Sequence, residues 1–396
     1  MRYITLLTFT CAFSSGVCFG ESLEAKIGQA GPSGWRCHVI QLDPNDNGPD
    51  GFNDHDWDGD GDLDVLVNFE EGGFSRLYFN PGKAIVRKPW KDFIEFSNHG
   101  KCEDSTIGDL DGDGDLDYVA NGGHVFFNPG LQDLRDPSKW IRMSLFKKEA
   151  RVPVVYDLDG DGLNDLIVGA QAWYKQPTEG KHEASNWVRY ELGEASWPMT
   201  CIVTDMDGDG DEDILVQERR KQGTFYYVNM GKEKITERWP IEIIDPKTGG
   251  MFLALGDLNG DQLPDLVRAA ANVDIFLRKN AKGVPEYQKV EVKRPEQPAS
   301  VSVKPKPKGV AILEINGDRS RPEIVIIPEY AAQLWYVELY AEKWTSKLLD
   351  IPFPESRKKM DNAYLSDLDG DGDLDIATTE ENGGWGVIWF ENPANN

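Results

Sequence analysis

The sequence DLDGDGDLD occurs at residues 109–117 and again, unchanged, at residues 367–375. Variants of this string recur about every 50 residues, so the chain carries one acidic string per repeat unit. The variants are DWDGDGDLD at 56–64, DLDGDGLND at 157–165, DMDGDGDED at 205–213, DLNGDQLPD at 257–265 and a degraded EINGDRSRPE at 314–323. Seven such units account for nearly all of the chain.

Each acidic string is followed by two short runs rich in β-branched and aromatic residues. In the second unit these runs are YVA at 118–120 and VFFNPG at 125–130. Short runs of this kind, bounded by Gly, Asn and Pro, are typical of strands and turns, and no window of useful length has helical periodicity. The chain is therefore predicted to be all-β.

A third element of each unit begins at an aromatic residue. These residues are Trp35, Trp90, Trp140, Trp187, Trp239, Tyr287 and Trp344. Trp35 precedes the first acidic string and no counterpart follows the seventh, so the last strand of a unit comes first in the chain. We therefore predict a seven-bladed β-propeller, closed by pairing of the N-terminal strand at about 35–41 within the C-terminal blade. The aromatic residues are expected to fill the space between blades.

The composition of the chain is strongly acidic. The 396 residues include 68 Asp and Glu but only 42 Lys and Arg, which gives a formal net charge of −26. Nucleic acid is not expected as a partner, because binding to phosphates requires clustered basic residues. With 40% hydrophobic residues and 12 Trp the chain can form a large core, unlike a disordered acidic segment.

The first 20 residues have the layout of a secretory signal. Arg2 is followed by an apolar run from Ile4 to Phe13 and by small residues up to Gly20. We predict cleavage near Gly20, a signal peptide at 1–20, one propeller domain at 21–396, and a secreted or periplasmic protein. The apolar run is too short for a membrane span, and no later stretch qualifies.

The spacing within the acidic strings is that of a loop wrapped around one hard cation. Carboxylates at positions 1, 3, 5 and 9 and the backbone carbonyl at position 7 supply the six or seven oxygen ligands that suit Ca²⁺. An EF-hand is excluded, because position 12 is not Glu and the flanks are strands. We expect about five to six calcium ions. In the sixth unit we hypothesise that the guanidinium of Arg319 or Arg321 replaces the cation.

The predicted calcium ligands are the residues at positions 1, 3, 5, 7 and 9 of six strings. They are Asp56, Asp58, Asp60, Asp62 and Asp64; Asp109, Asp111, Asp113, Asp115 and Asp117; Asp157, Asp159, Asp161, Leu163 and Asp165; Asp205, Asp207, Asp209, Asp211 and Asp213; Asp257, Asn259, Asp261, Leu263 and Asp265; and Asp367, Asp369, Asp371, Asp373 and Asp375. Without a cation, three to five carboxylates would repel one another in each loop, which argues against a merely solvated acidic turn.

These strings are similar to the FG-GAP/VCBS repeats of integrin-type and bacterial secreted propellers. The FG dipeptide is missing, and only LIVGAQ at 166–171 resembles the GAP element. The resemblance covers nearly all of the chain after the signal and implies calcium-stabilised blades, an extracytoplasmic location and binding of carbohydrate or protein. Some relatives with such propellers are lyases or dehydratases that act on sugars, and the fold alone does not choose among these activities.

A site other than the acidic loops is expected in the axial funnel, which the segments before the innermost strands line. The candidate ligand-binding residues there are His99, Lys101, Glu103, Asp104, Arg151, Trp197, Asp361 and Asn362. The simpler interpretation is that they are ordinary loop residues at a propeller mouth. We expect a monomer that binds a glycan or a secreted or cell-surface protein. The alternative is a polysaccharide or sugar lyase or dehydratase that uses His99, Arg151 and Tyr156.

Overall fold

A computed structural model describes residues 27–146, 151–296, 306–315, 321–329, 334–351 and 359–393. The predicted signal at 1–20 and Arg319 of the sixth string lie outside these residues. None of the helices among these residues has the length and apolar character that a membrane span requires.

The described strands form seven four-stranded antiparallel sheets, which are the blades of a ring. The chain enters the ring with β1 (Arg36–Gln41). Blade 1 contains β2 (Pro49–His55), β3 (Asp64–Phe69), β4 (Phe74–Tyr78) and β5 (Phe93–Ser97). Blade 2 contains β6 (Ser105–Gly108), β7 (Asp117–Ala120), β8 (His124–Phe127) and β9 (Ile141–Ser144). Blade 3 contains β10 (Val154–Tyr156), β11 (Asp165–Val168), β12 (Ala172–Lys175) and β13 (Val188–Glu191).

The remaining blades repeat the same order of strands. Blade 4 contains β14 (Pro198–Thr204), β15 (Asp213–Glu218), β16 (Gly223–Tyr227) and β17 (Ile241–Asp245). Blade 5 contains β18 (Leu253–Gly256), β19 (Asp265–Ala269), β20 (Val273–Arg278) and β21 (Tyr287–Val292). Blade 6 contains β22 (Pro307–Leu313), β23 (Glu323–Pro328), β24 (Trp335–Tyr340) and β25 (Lys343–Leu348). Blade 7 contains β26 (Tyr364–Ser366), β27 (Asp375–Glu380) and β28 (Gly386–Glu391), with β1 as its fourth strand.

The ring closes where β1 pairs with β28. The two strands are antiparallel, with Arg36 opposite Glu391 and His38 opposite Trp389. The predicted seven-bladed β-propeller and its closure by the N-terminal strand are both confirmed. Because strands from the two ends of the described chain share one sheet, opening the ring requires breaking that strand pair.

The aromatic column fills the space between blades, as expected from the sequence. Trp140 is buried in one cluster with Leu66 of blade 1 and Tyr118 of blade 2. Its indole Nε1 also donates a hydrogen bond to the carbonyl oxygen of Leu134, at 3.0 Å. The side chain therefore joins adjacent blades and holds the loop between β8 and β9 in place.

The direction of the innermost strands places the two candidate sites on opposite faces of the ring. Each acidic string follows the innermost strand of its blade, as 56–64 follows β2. The residues of the predicted funnel instead precede or begin those strands, as Asp104 precedes β6. One face therefore carries the acidic loops and the other carries the axial opening.

Candidate functional site

Four of the acidic loops bring three carboxylates together between the first and second strands of their blades. One oxygen from each of positions 1, 3 and 9 lies within 4.8 Å of the other two. This convergence is present for Asp56, Asp58 and Asp64; for Asp109, Asp111 and Asp117; for Asp157, Asp159 and Asp165; and for Asp205, Asp207 and Asp213. Three anionic oxygens this close together suit a single hard cation.

The carboxylate at position 9 is fixed by backbone hydrogen bonds. Asp117, the first residue of β7, accepts one from the N–H of Leu110 at 2.7 Å and one from the N–H of Asn128 at 2.9 Å. The equivalent pair is made by Asp64, Asp165, Asp213, Asp265 and Asp375. Burial raises the pKa of Asp117 to about 8 despite these two bonds. Position 9 therefore holds its loop against the following strand and also faces the loop interior.

The carboxylate at position 1 has one oxygen that the protein does not pair. Oδ2 of Asp56 accepts the backbone N–H of Gly61 at 3.0 Å, whereas its Oδ1 is buried without a hydrogen-bond partner among the described residues. Oδ1 of Asp367 in the seventh loop is likewise buried without a hydrogen-bond partner among the described residues. A buried carboxylate oxygen without a partner is costly unless it binds a cation. The donor set therefore fits calcium.

The fifth loop keeps this geometry although Gln262 replaces the second Gly. Gln262 adopts a φ of 68°, in the left-handed region where Gly is favoured. Its N–H donates to Oδ2 of Asp257 at 2.8 Å, as Gly61 donates to Asp56 in the first loop. The substitution strains the backbone but preserves the hydrogen bond that orients Asp257.

Basic side chains contact several acidic loops, and most of them come from the following blade. Arg135 of blade 2 pairs with Oδ2 of Asp58 at 2.6 Å, and His182 of blade 3 lies 2.8 Å from Oδ2 of Asp111. The third loop differs, because Lys175 of its own blade donates to both Asp159 and Asp161. These contacts occupy carboxylate oxygens that the sequence assigned to calcium.

The sixth loop is only partly described. Glu323 takes the role of position 9 and accepts the N–H of Ile315 at 3.0 Å. Arg321 pairs with Glu342 at 3.6 Å, in the turn between β24 and β25. Because Arg319 lies outside the described residues, the hypothesis that a guanidinium replaces the cation remains a prediction.

The axial opening on the other face is lined by side chains from all seven blades and encloses about 120 Å³. We call this cavity the axial mouth. Its lining residues are Asp50, Glu70, Glu103, Asp104, Arg151, Trp197, Met199, Arg219, Met251, Phe252, Lys308, Glu329, Lys359, Asp361 and Glu381. Five of the predicted residues meet there, namely Glu103, Asp104, Arg151, Trp197 and Asp361. Lys101, His99 and Asn362 are not among the lining residues.

Trp197 does not present an open stacking face in the axial mouth. The guanidinium of Arg151 lies over its ring at 3.9 Å from the centroid, and that of Arg220 lies at 3.6 Å. Arg151 is also held by both carboxylate oxygens of Glu103. The expectation that Trp197 stacks on a sugar is therefore not supported, because two cations already contact its ring.

His99 lies in the core rather than in the funnel. Its side chain is only 2% exposed, with Nε2 at 2.9 Å from Ser75 Oγ and Nδ1 at 3.2 Å from the carbonyl oxygen of Gly100. Ser75 Oγ also lies 2.7 Å from the Tyr118 hydroxyl. Burial lowers the pKa of His99 to about 4, so the imidazole is neutral at physiological pH. A buried group in a structural network is a poor candidate for the lyase base.

Sequence reasoning missed two buried charges of the axial mouth, Asp50 and Lys308. Asp50 and Lys308 each stand one residue before a Gly at the start of an innermost strand, in Asp50–Gly51 and Lys308–Gly309. A charged residue followed by Gly therefore recurs at the start of two innermost strands, and this pattern is visible in the sequence. It identifies positions where the backbones of neighbouring blades come close.

Comparison with known proteins supports the fold. Residues 56–120, 157–216 and 205–268 match the family model of the FG-GAP-like repeat. No curated protein matches the sequence. The solved structure of BBS1N in complex with ARL6DN is similar with a TM-score of 0.51 and 12% identity, covering 91% of this chain and 99% of that chain. The V. cholerae biofilm matrix protein Bap1 has a TM-score of 0.46 and 11% identity, covering 87% and 77%.

Proposed function

We propose that this chain, a seven-bladed β-propeller with FG-GAP-like repeats, is an exported calcium-binding module that recognises a protein partner at the axial mouth. The observation that carries the calcium proposal is the buried, unpaired Oδ1 of Asp56 and of Asp367 within loops of converging carboxylates. When bound, calcium would neutralise these carboxylates and complete their oxygen coordination. Five to six such sites remain the expectation for the six well-formed strings.

Backbone hydrogen bonds orient the carboxylates within each loop. Position 9 is held in place by two backbone N–H groups, and position 1 accepts a third, as in the bond from Gly61 to Asp56. The carboxylates are therefore oriented before a metal arrives, and less ordering is required on binding. The proposed role of these loops is to stiffen the face opposite the axial mouth.

A protein partner fits the axial mouth better than a glycan does. The cavity of about 120 Å³ is smaller than the roughly 300–1,000 Å³ of typical small-molecule pockets. Its aromatic ring is covered by Arg151 and Arg220, and its rim is strongly charged. Such a surface favours recognition of a complementary protein side chain over stacking of sugar rings.

Affinity capture tests this part of the proposal. Immobilised protein is exposed to a cell-surface protein extract and, separately, to a glycan array. We expect capture of a protein that is lost in Arg219→Glu, which reverses a charge lining the axial mouth, and retained in Arg238→Glu, which reverses an exposed charge elsewhere. Glycan binding without protein capture, or capture insensitive to Arg219→Glu, would contradict the proposal.

Export is proposed from the first 20 residues alone. N-terminal sequencing of the protein recovered outside the cytoplasm is expected to begin near Glu21. Recovery of the intact chain from the cytoplasm would overturn the proposed location but not the calcium or partner proposals.

A further inference from the structure

A lysine is buried at the axial mouth among three carboxyl groups. Lys308 of β22 is 3% exposed, and Asp50, Asp361 and Glu381 are buried around it. One oxygen from each of the three carboxyl groups lies within 4.8 Å of the other two. Nζ of Lys308 lies 2.7 Å from Oδ1 of Asp361 and 2.9 Å from Oε1 of Glu381. The cluster joins blades 6, 7 and 1.

The backbone holds Lys308 and Asp361 against each other. A Cβ at Gly309 would lie 2.8 Å from the carbonyl oxygen of Asp361 and 2.7 Å from the nitrogen of Ala363, so β22 approaches this segment as closely as a glycine permits. The N–H of Asp361 donates to the carbonyl oxygen of Thr379 at 3.0 Å. The contact between the two side chains therefore does not depend on flexible segments.

The two other carboxyl groups are placed to move protons. Burial, together with the negative charge of Asp361, raises the pKa of Asp50 well above its usual value, and Asp50 is hydrogen-bonded to Asp361. Burial alone would raise the pKa of Asp361 as well, but the ammonium of Lys308 outweighs it and lowers that pKa to about 2. Asp50 thus holds a proton beside an oxygen of Asp361, and Glu381 accepts a hydrogen bond from Nζ of Lys308.

We propose that Lys308 and Asp361 condense to form an isopeptide bond between blades 6 and 7. Nζ of Lys308 attacks Cγ of Asp361, a C–N bond forms, and one C–O bond of the carboxylate breaks. Two protons leave Nζ, and the departing oxygen takes up two protons and leaves as water. Glu381 accepts the two protons from Nζ in turn and passes each one on, the first to the departing oxygen and the second to Asp50, which has given its own proton to that oxygen. Glu381 and Asp50 therefore both end in the protonation state in which they began. No oxidant or other reactant is needed.

The geometry lowers the barrier to a reaction that free lysine and aspartate do not undergo. Effective molarities of well-oriented groups can reach about 10⁵–10⁸ M, which lowers the barrier to a condensation between the two side chains. The amide also replaces two buried charges, whose desolvation is costly, with a neutral group. The axial mouth gives the released water a path to solvent.

The reaction is expected to be slow after folding. Burial lowers the pKa of Lys308, but the carboxylates of Asp361 and Glu381 outweigh it and raise that pKa above the usual range. The neutral amine that attacks Cγ is therefore rare at any moment. The bond is expected to accumulate during incubation of the folded protein rather than at once.

Mass spectrometry of the full chain tests the proposal. Wild-type protein is incubated in the folded state, denatured and weighed, and its N-terminus is sequenced so that the expected mass is known. We expect a mass lower by one water molecule, and a branched tryptic peptide that joins Lys308 to Asp361. An unmodified mass with separate peptides for the two residues, or a link between other residues, would overturn the proposal.

Two variants sharpen the test without requiring a functional assay. Lys308→Arg keeps the positive charge but cannot condense, so its mass should equal that of its sequence. Asp361→Asn should lose ammonia instead of water, because the leaving group changes. Lys347→Arg, at an exposed lysine paired with Glu338, is the matched control and should keep the loss of one water. Because the wild-type mass alone decides the question, failure of a variant to fold leaves the test intact.

Discussion

The guanidinium of Arg87, between β4 and β5, donates to both carboxylate oxygens of Glu391 in β28, from Nε to Oε2 at 2.9 Å and from Nη2 to Oε1 at 3.0 Å. The same Nη2 also donates to Asp369, at position 3 of the seventh acidic loop. Nε2 of His38, in β1, lies 2.6 Å from Oε2 of Glu391. One buried carboxylate therefore links the ring-closing strand pair to blade 1, and through Arg87 to a candidate calcium loop.

Removing this carboxylate should weaken ring closure. Glu391→Ala leaves the buried Nε2 of His38 without its partner, whereas Arg87, whose side chain is 40% exposed, keeps Asp369. We expect a loss of about 1–3 kcal/mol in the free energy of unfolding, the range for a buried polar group that loses its partner. Urea denaturation measures the change. Arg189→Ala, which removes an exposed pair with Glu191, is the control and should cost about 0–1 kcal/mol. A similarly small effect of both variants would contradict the closing role of Glu391.

The pKa of Glu391 predicts how acid changes the stability of the wild-type protein. Burial would raise the pKa of Glu391, but hydrogen bonds from His38 and Arg87 outweigh it and lower that pKa from 4.5 to about 2. Because the folded pKa is the lower one, its contribution is present above about pH 4.5 and is lost as the pH falls to about 2. Acid titration of unfolding free energy should show this loss in the wild type and less of it in Glu391→Ala.

His99 is expected to act on stability rather than on catalysis. His99→Ala removes the partner of Ser75 in a buried network, and we expect a loss of about 1–3 kcal/mol in the free energy of unfolding. The exposed His55→Ala is the control and should change little. Since the folded pKa of His99 is about 4 against an ordinary 6.5, stability should also decrease as the pH falls from about 6.5 towards 4. Cleavage of acidic polysaccharide to unsaturated uronates, abolished by His99→Ala, would instead support the lyase alternative.

The third acidic loop should bind calcium more weakly than its sequence suggests. Lys175 donates to Asp159 and Asp161 and competes with a cation for them. Lys175→Met should therefore raise the affinity of this loop about fivefold, corresponding to a partly exposed ion pair worth ~1 kcal/mol. A calcium titration followed by the NMR signals of Gly160 and Gly162 measures this loop alone. Lys232→Met removes a contact to the Gly160 carbonyl and no carboxylate contact, so it should leave the affinity unchanged.

Calcium binding near neutral pH should release protons. Burial raises the pKa of Asp64 and Asp165 to about 7 and that of Asp117 and Asp375 to about 8 in the metal-free loops. Metal ligands must be deprotonated, so affinity should increase between about pH 6 and pH 8. Calorimetric titration in two buffers with different ionisation enthalpies measures the protons released. Binding heat that does not depend on the buffer would show that these carboxylates are already ionised before calcium binds, and would contradict the prediction.

The fold was predictable because it repeats. The acidic strings recur in register with the strands, and the position of Trp35 before the first string indicated that β1 completes the last blade. The acidic loops were predictable for a related reason, since positions 1, 3 and 9 are close in sequence. In both cases the information is local or periodic.

The axial mouth was less predictable because its contacts join distant segments. Lys308 and Asp361 come from different blades, and their approach depends on Gly309 packing against the backbone of the next blade. Similarly, nothing near Trp197 in the sequence indicates that Arg151 will cover its ring. The burial of His99 also depends on side chains from two blades, and the residues before an innermost strand do not all face the funnel.

The most direct test of the account is the number of calcium ions bound per chain. Protein equilibrated with calcium, freed of unbound metal and analysed by atomic emission should contain about five to six ions, held by the carboxylate loops. The same preparation treated with a chelator should lose them and melt at a lower temperature, because binding to the folded state alone stabilises it. A chain that retains less than one ion after equilibration would contradict the assignment of the acidic loops as calcium sites.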